Sequence, residues 1–121
     1  MATEIPPAVR NDLDRLRQLE DQLQAVLLRK QQYESELRNV DKALNELNKL
    51  PQDSKVYKVV GTFLLSTTRD EAIQDLNQRK ELLDLHLQSL VKQENMLRKQ
   101  ISELENKVKQ TLAAGQGGQV Q

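Results

Sequence analysis

Catalysis and metal binding need polar side chains that converge, and this sequence offers few. His86 is its one histidine and cysteine is absent, so thiolate metal sites, cysteine nucleophiles and disulfides are excluded together. A histidine acts as metal ligand or general base only beside a second suitable group. None is in prospect here, and His86 is expected to be a solvated side chain on a helix surface. Carboxylates are paired at Asp70 and Glu71 and again at Glu103 and Glu105. Without a pocket, a phosphate-binding Gly motif or a nucleophile elbow, such pairs are expected as helix caps and surface charges. We therefore expect no enzyme, no cofactor and no metal.

The residues suited to interaction are apolar, and composition says what must position them. Of 121 residues 21 are Leu, against one Phe, two Tyr and no Trp; 37% are hydrophobic and 30% charged. That is the composition of long helices and coiled coils rather than of a compact globule. Eighteen Lys and Arg balance eighteen Asp and Glu. No basic footprint for nucleic acid or for an anionic membrane surface results, and no apolar run is long enough to span a bilayer. The opening MATEIPP lacks a basic stretch followed by an apolar one, so a cytoplasmic location is expected.

Punctuation divides the chain into two long segments. Neither Gly nor Pro occurs from residue 8 to 50, nor between Gly61 and Gly115. Alternating steps of three and four from Val9 visit Asp12, Leu16, Leu19, Leu23, Val26, Lys30, Tyr33, Leu37, Val40, Leu44 and Leu47, and ten of the twelve positions are apolar. In the second segment Ile73, Leu76, Lys80, Leu83, Leu87, Leu90, Glu94, Leu97, Ile101, Leu104, Val108 and Thr111 give nine of twelve. A seven-residue repeat held this long marks a coiled-coil seam, and a stripe so narrow needs a partner helix. The nearest is the other helix. The expectation is a mainly α fold, a long antiparallel coiled-coil hairpin folded back near Gly61, in a register where the numbers of facing residues sum to about 123, which sets the two charged interruptions Lys30 and Glu94 near one layer.

Between the helices lies KVYKVVGTFLLSTTRDEA, whose Val, Tyr, Thr and Phe content reads as two short strands about a tight turn at Gly61. Thr68 with Glu71 forms a capping box for the second helix. Both strand faces are apolar: Tyr57, Val59, Phe63 and Leu65 are interleaved with Val56, Val60 and Leu64. A lone two-stranded ribbon is marginal in water and has two open edges. Assembly solves this, with hairpins from several chains joining into β-barrels in an oligomer. The oligomerisation residues are then Val56, Tyr57, Val59, Val60, Gly61, Phe63, Leu64 and Leu65. We expect one domain over 1–121: helix 1 at 8–50, the β-hairpin at 55–67, helix 2 at 69–112, and a flexible tail at 113–121. Ile5, Val9, Leu13, Leu16, Val108 and Leu112 gather where the termini meet, a fraying tip that is either a small site for extended apolar chains or merely a loose end.

In its order of helix, short β-hairpin and helix, with Val56, Tyr57, Lys58, Gly61 and Leu64 in the pattern V-Y-K-x-x-G-x-x-L, nearly the whole chain closely resembles β-type prefoldin subunits, particularly archaeal ones. The charged helical run DEAIQDLNQRKELLDLHLQSLVKQENML after the hairpin strengthens the likeness. Ser66, Thr67 and Thr68 depart from it, since a basic residue is expected among them. The resemblance implies a hexamer of two α-type and four β-type chains on a double β-barrel platform, with Val56 to Val60 and Thr62 to Ser66 in the platform. It implies an ATP-independent chaperone whose coiled-coil tips hold unfolded client proteins and pass them to a group II chaperonin. The six terminal residues would then meet the client, and Glu103, Glu105, Lys107 and Lys109 are charges available for docking the chaperonin. An architectural tether or spacer without client-holding activity is the alternative that the residues leave open.

Overall fold

A computed structural model of the chain describes residues 5–120, with side chains as far as residue 115. The ends of the expected domain, residues 1–4 and 121, lie outside the described residues. Two long helices flank a short antiparallel β-hairpin: α1 spans Pro7–Asn48, β1 Lys55–Val60, β2 Phe63–Thr68 and α2 Arg69–Val120. Pro7 opens α1 because the first helical position has no use for its missing N–H, and the Arg10 N–H donates to the Pro6 carbonyl at 3.0 Å. Near its end the helix tightens, with the N–H groups of Lys49 and Leu50 donating to the carbonyls of Glu46 and Leu47, before Pro51 forbids continuation. The second helix runs on past Leu112 through most of the expected tail to Val120. Ala113 and Ala114 favour helix and no Pro follows to stop it.

The chain groups into two compact units. One, the terminal unit, holds residues up to Arg29 together with those from Leu90 on; the other, the hairpin unit, holds Lys30–Ser89. In the terminal unit Val9, Leu16 and Val108 form a buried cluster with Ile101 and Leu104 packed against it. In the hairpin unit Val40, Leu44 and the fully buried Leu83 form the core, surrounded by Tyr33, Leu37, Ile73 and Leu76. The heptad positions are borne out: all twelve in α1, and all in α2 except the exposed Thr111, are buried or half-buried.

Register differs from expectation by one helical turn. Tyr33 meets His86 rather than Leu90, and Asp12 pairs with Lys107 rather than with Thr111. The cause is the asymmetry of the connection. Six residues, 49–54, separate α1 from β1, whereas β2 passes into α2 with none between. The pivot of the helices thus lies midway between Asn48 and Arg69, ahead of Gly61 in the chain.

Candidate functional site: the exposed hairpin and its footing

Gly61 has φ of +60°, the only positive φ among the described residues, and with Thr62 it makes a two-residue turn. Positive φ at the first central position alone defines a type II′ turn, whose twist matches that of the strands. Val60 pairs with Phe63, Val59 with Leu64, Lys58 with Leu65, Tyr57 with Ser66, Val56 with Thr67 and Lys55 with Thr68. This register corrects the expected faces. Phe63 and Leu65 share a face with Val56 and Val60, while Leu64 joins Tyr57 and Val59, because a two-residue turn pairs odd positions of one strand with even positions of the other.

Neither face is covered. Val59 is 72% exposed, Phe63 71%, Leu64 69% and Tyr57 65%; Val60, Leu65 and Gly61 are exposed too, and only Val56 is half-buried. The described sheet has two strands and therefore two free edges. An exposed ion pair between Lys58 and Asp75 at 3.6 Å links β1 to α2.

The footing of the hairpin is more tightly made. The Glu71 N–H donates to the Thr68 hydroxyl at 3.1 Å, which is half of the expected capping box. The Glu71 carboxylate accepts from the Thr67 hydroxyl at 2.9 Å, so it ties the helix start to the strand end. No motif singles out Arg69, yet counting its main chain it is the best-connected residue here. Its Nε donates to the Leu47 carbonyl at 2.9 Å, its Nη1 pairs with Asp70 at 2.9 Å, and its main-chain N–H donates to the Ser54 carbonyl at 3.3 Å. Gln52 donates to the other Asp70 oxygen at 3.4 Å. A signal for Arg69 did exist. A cation in the first turn of a helix opposes that helix's own dipole, which suggests service to another element.

Along the helices of the hairpin unit, Arg79 donates twice to Glu36, at 2.9 and 2.7 Å, and Lys80 pairs with Asp41 at 2.8 Å. The Glu36 hydrogen bond raises the Arg79 guanidinium above its ordinary pKa, and the Asp41 hydrogen bond does the same for the Lys80 ammonium. His86 is half-buried rather than solvated: its ring stacks on Tyr33 with centroids 5.0 Å apart and planes 3° from parallel. It faces an aromatic ring because of the one-turn shift in register. Among the described residues no group of three His, Cys, Asp or Glu is placed to hold a metal.

In the terminal unit the six expected client-binding residues divide. Val9, Leu16 and Val108 are consumed in the local core, whereas Ile5, Leu13 and Leu112 are exposed. The alternation follows from the seam, since Val9, Leu16 and Val108 are heptad positions and Leu13 and Leu112 are not. Of the four charges named for docking, Lys107 is bound to Asp12 at 3.4 Å. Lys107 and Glu103 also line an open groove with Arg15, Leu19, Gln100 and Leu104. No helix among the described residues is long and apolar enough to cross a membrane.

Comparison with known proteins agrees with this geometry. The family model described as "Prefoldin subunit" matches residues 10–114. The chain is 98% identical to prefoldin subunit beta of Caldivirga maquilingensis over 121 residues, the full length of both, and 53% identical to that of Pyrobaculum calidifontis, covering 96% of this chain and 93% of the relative. The crystal structure of the prefoldin beta subunit from Thermococcus strain KS-1 superposes with a TM-score of 0.83 at 38% identity, over 92% of this chain and 97% of that one. Two long helices, one exposed hairpin and a match spanning the heptads on both sides together mean that the chain belongs to the prefoldin subunits, a family of chaperone subunits, and that its relatives within that family are archaeal beta subunits.

Proposed function

We propose that this chain is the β-type subunit of an ATP-independent holding chaperone: a hexamer of two α-type and four β-type chains that binds unfolded proteins at its coiled-coil tips and delivers them to a group II chaperonin in the cytoplasm. The observation that carries the reading is the hairpin, an apolar ribbon with both faces in water and both edges open. Such a ribbon is stable in solution only when covered, and other hairpins of the same kind cover it most simply by closing a barrel. Ile5, Leu13 and Leu112 are the client-binding residues we assign, because they remain accessible beside a packed core. Glu103, Glu105 and Lys109 supply charge for docking the chaperonin.

Two measurements test the reading. Native mass spectrometry of the chain, alone and mixed with an archaeal α-type chain, should show oligomers, and a hexamer in the mixture; a persistent monomer in both would refute assembly. Replacing Ile5, Leu13 and Leu112 together by Ser should leave the oligomer intact and abolish suppression of aggregation of a chemically denatured client. Unchanged suppression would favour the architectural tether. Substitution is a cleaner probe than removing residues 1–16 and 109–121, which would also delete Val9 and Leu16 from the core.

A further inference from the structure

The hairpin must leave the helices in a fixed direction if several copies are to meet edge to edge, and the connection on the α1 side is six residues long and contains no regular element. Direction therefore has to be imposed at the other strand, where β2 enters α2 without a linker. Arg69 stands at that junction and reaches every segment that converges on it. Its backbone is continuous with β2 and its N–H holds Ser54, the residue before β1. Its guanidinium spans from Asp70, which also holds Gln52 of the connection, to the Leu47 carbonyl at the end of α1. The side chain is only 19% exposed, whereas Lys49, Lys58, Arg79, Lys80, Arg98 and Lys107, the cations of other ion pairs, are 39% to 72% exposed. The last turn of α1 contains no basic residue of its own, so Arg69 also supplies the positive charge that the C-terminus of that helix favours.

We propose that Arg69 is a positioning residue for assembly: it locks the β2–α2 junction to the end of α1 and so sets the angle at which the hairpin is presented to neighbouring subunits. This rests on the assembly reading above. The planar guanidinium matters because Nε and Nη1 are held in one plane at a fixed spacing and bind Leu47 and Asp70 at once. An ammonium keeps the charge but loses the fork.

The test compares the full chain with Arg69→Gln and Arg69→Lys. Helix content by circular dichroism should match in all three. In dilution series with an α-type chain, Arg69→Gln should assemble at about tenfold higher concentration, the size of one charge-assisted hydrogen bond. Arg69→Lys should recover any loss of melting temperature, since charge at the end of α1 is restored, but should not recover assembly. Equal assembly of Arg69→Gln and wild type overturns the proposal, as does a Lys variant that restores melting and assembly together, which would make the role one of charge alone. A second readout does not depend on assembly. The chain has no Cys, so spin labels can be placed through Thr62→Cys and Lys42→Cys, and their distance distribution should be narrow with Arg69 and clearly broader with Gln. A wild type that stays monomeric would refute the assembly reading, while this distribution would still decide whether Arg69 sets the angle; equal widths would refute it.

Discussion

Phe63 and Leu83 are both large and apolar, yet the structure predicts opposite consequences for truncating them to Ala. Phe63 is 71% exposed, so the isolated chain gains almost nothing from its ring. An aromatic side chain presents about 150–250 Å² and apolar burial contributes about 25 cal/mol per Å², so covering the exposed share in a barrel contributes about 3 kcal/mol per hairpin. Losing that contact corresponds to roughly two orders of magnitude in the dissociation constant. Leu83 has no exposed surface and lies among Val40 and Leu44, so Leu83→Ala leaves a cavity. Removing such a leucine costs about 3–5 kcal/mol. The assay is urea unfolding followed by circular dichroism below the concentration of assembly, together with dilution-induced dissociation followed by native mass spectrometry. Phe63→Ala should unfold within about 0.5 kcal/mol of wild type, as an exposed substitution does, and assemble far more weakly. Leu83→Ala should fail the unfolding test at every concentration. If Phe63→Ala destabilises the lone chain by more than about 1 kcal/mol, the ring is packed against its own subunit and the ribbon is not the open surface argued here.

Further outcomes follow from the footing and the ion pairs. Thr68→Ala removes the hydroxyl that accepts from the Glu71 N–H and should lower stability by about 1 kcal/mol in thermal melts of the hairpin unit's helices. Gly61→Ala meets no atom within 4 Å but must hold φ of +60°, so backbone strain alone should cost about 1–2 kcal/mol, seen as weaker assembly in the dilution series. Lys80 is raised above its ordinary pKa of 10.5 by Asp41, so its contribution to stability is complete below that pH and is lost as pH rises through the higher folded value. Melting temperature should accordingly fall more steeply above that pH in wild type than in Lys80→Met. The Arg79 and Glu36 pair is two-fifths exposed, so a double-mutant cycle should give under about 1 kcal/mol, shrinking with added salt.

The seam was fully legible because heptad spacing depends on one physical fact, that apolar groups leave water on a single stripe, and burial of positions from Val9 to Val108 follows it. Two things were not legible for the same reason, that each depends on where chain segments end rather than on what they contain. The one-turn offset between Tyr33 and His86 comes from the six residues before β1. The sharing of a strand face by Phe63 and Val60 comes from the turn holding two residues rather than one. At the chain ends the sequence offers six apolar residues, but their composition does not say which the core will take. Within the helices their heptad phase does: Val9, Leu16 and Val108 lie on it and are buried, Leu13 and Leu112 lie off it and are exposed, while the exposed Ile5 precedes α1. Arg69 illustrates the remaining gap, since its partners Leu47, Ser54 and Asp70 include two main-chain carbonyls, which carry no sequence signature.

Exposed apolar surface at the hairpin and at the terminal unit has the same chemistry but different consequences. A strand edge presents main-chain donors and acceptors at a fixed repeat, so covering it selects another strand in one register. Ile5, Leu13 and Leu112 offer only side chains, and each is already more than half covered at 44%, 40% and 43% exposure. Burying the remainder contributes about 1 kcal/mol per residue, so three together supply about 3 kcal/mol, weaker than a millimolar contact. One subunit by itself therefore cannot hold a client. Several on a common platform can, because linked weak sites gain a factor of about 100 to 10,000 in avidity while each contact stays quick to release. Under the proposed role the hairpin is thus as necessary for holding as the terminal residues that touch the client. Phe63→Ala, with every terminal side chain in place, should lose client protection in step with its loss of assembly, and protection by a monomeric variant would break that dependence.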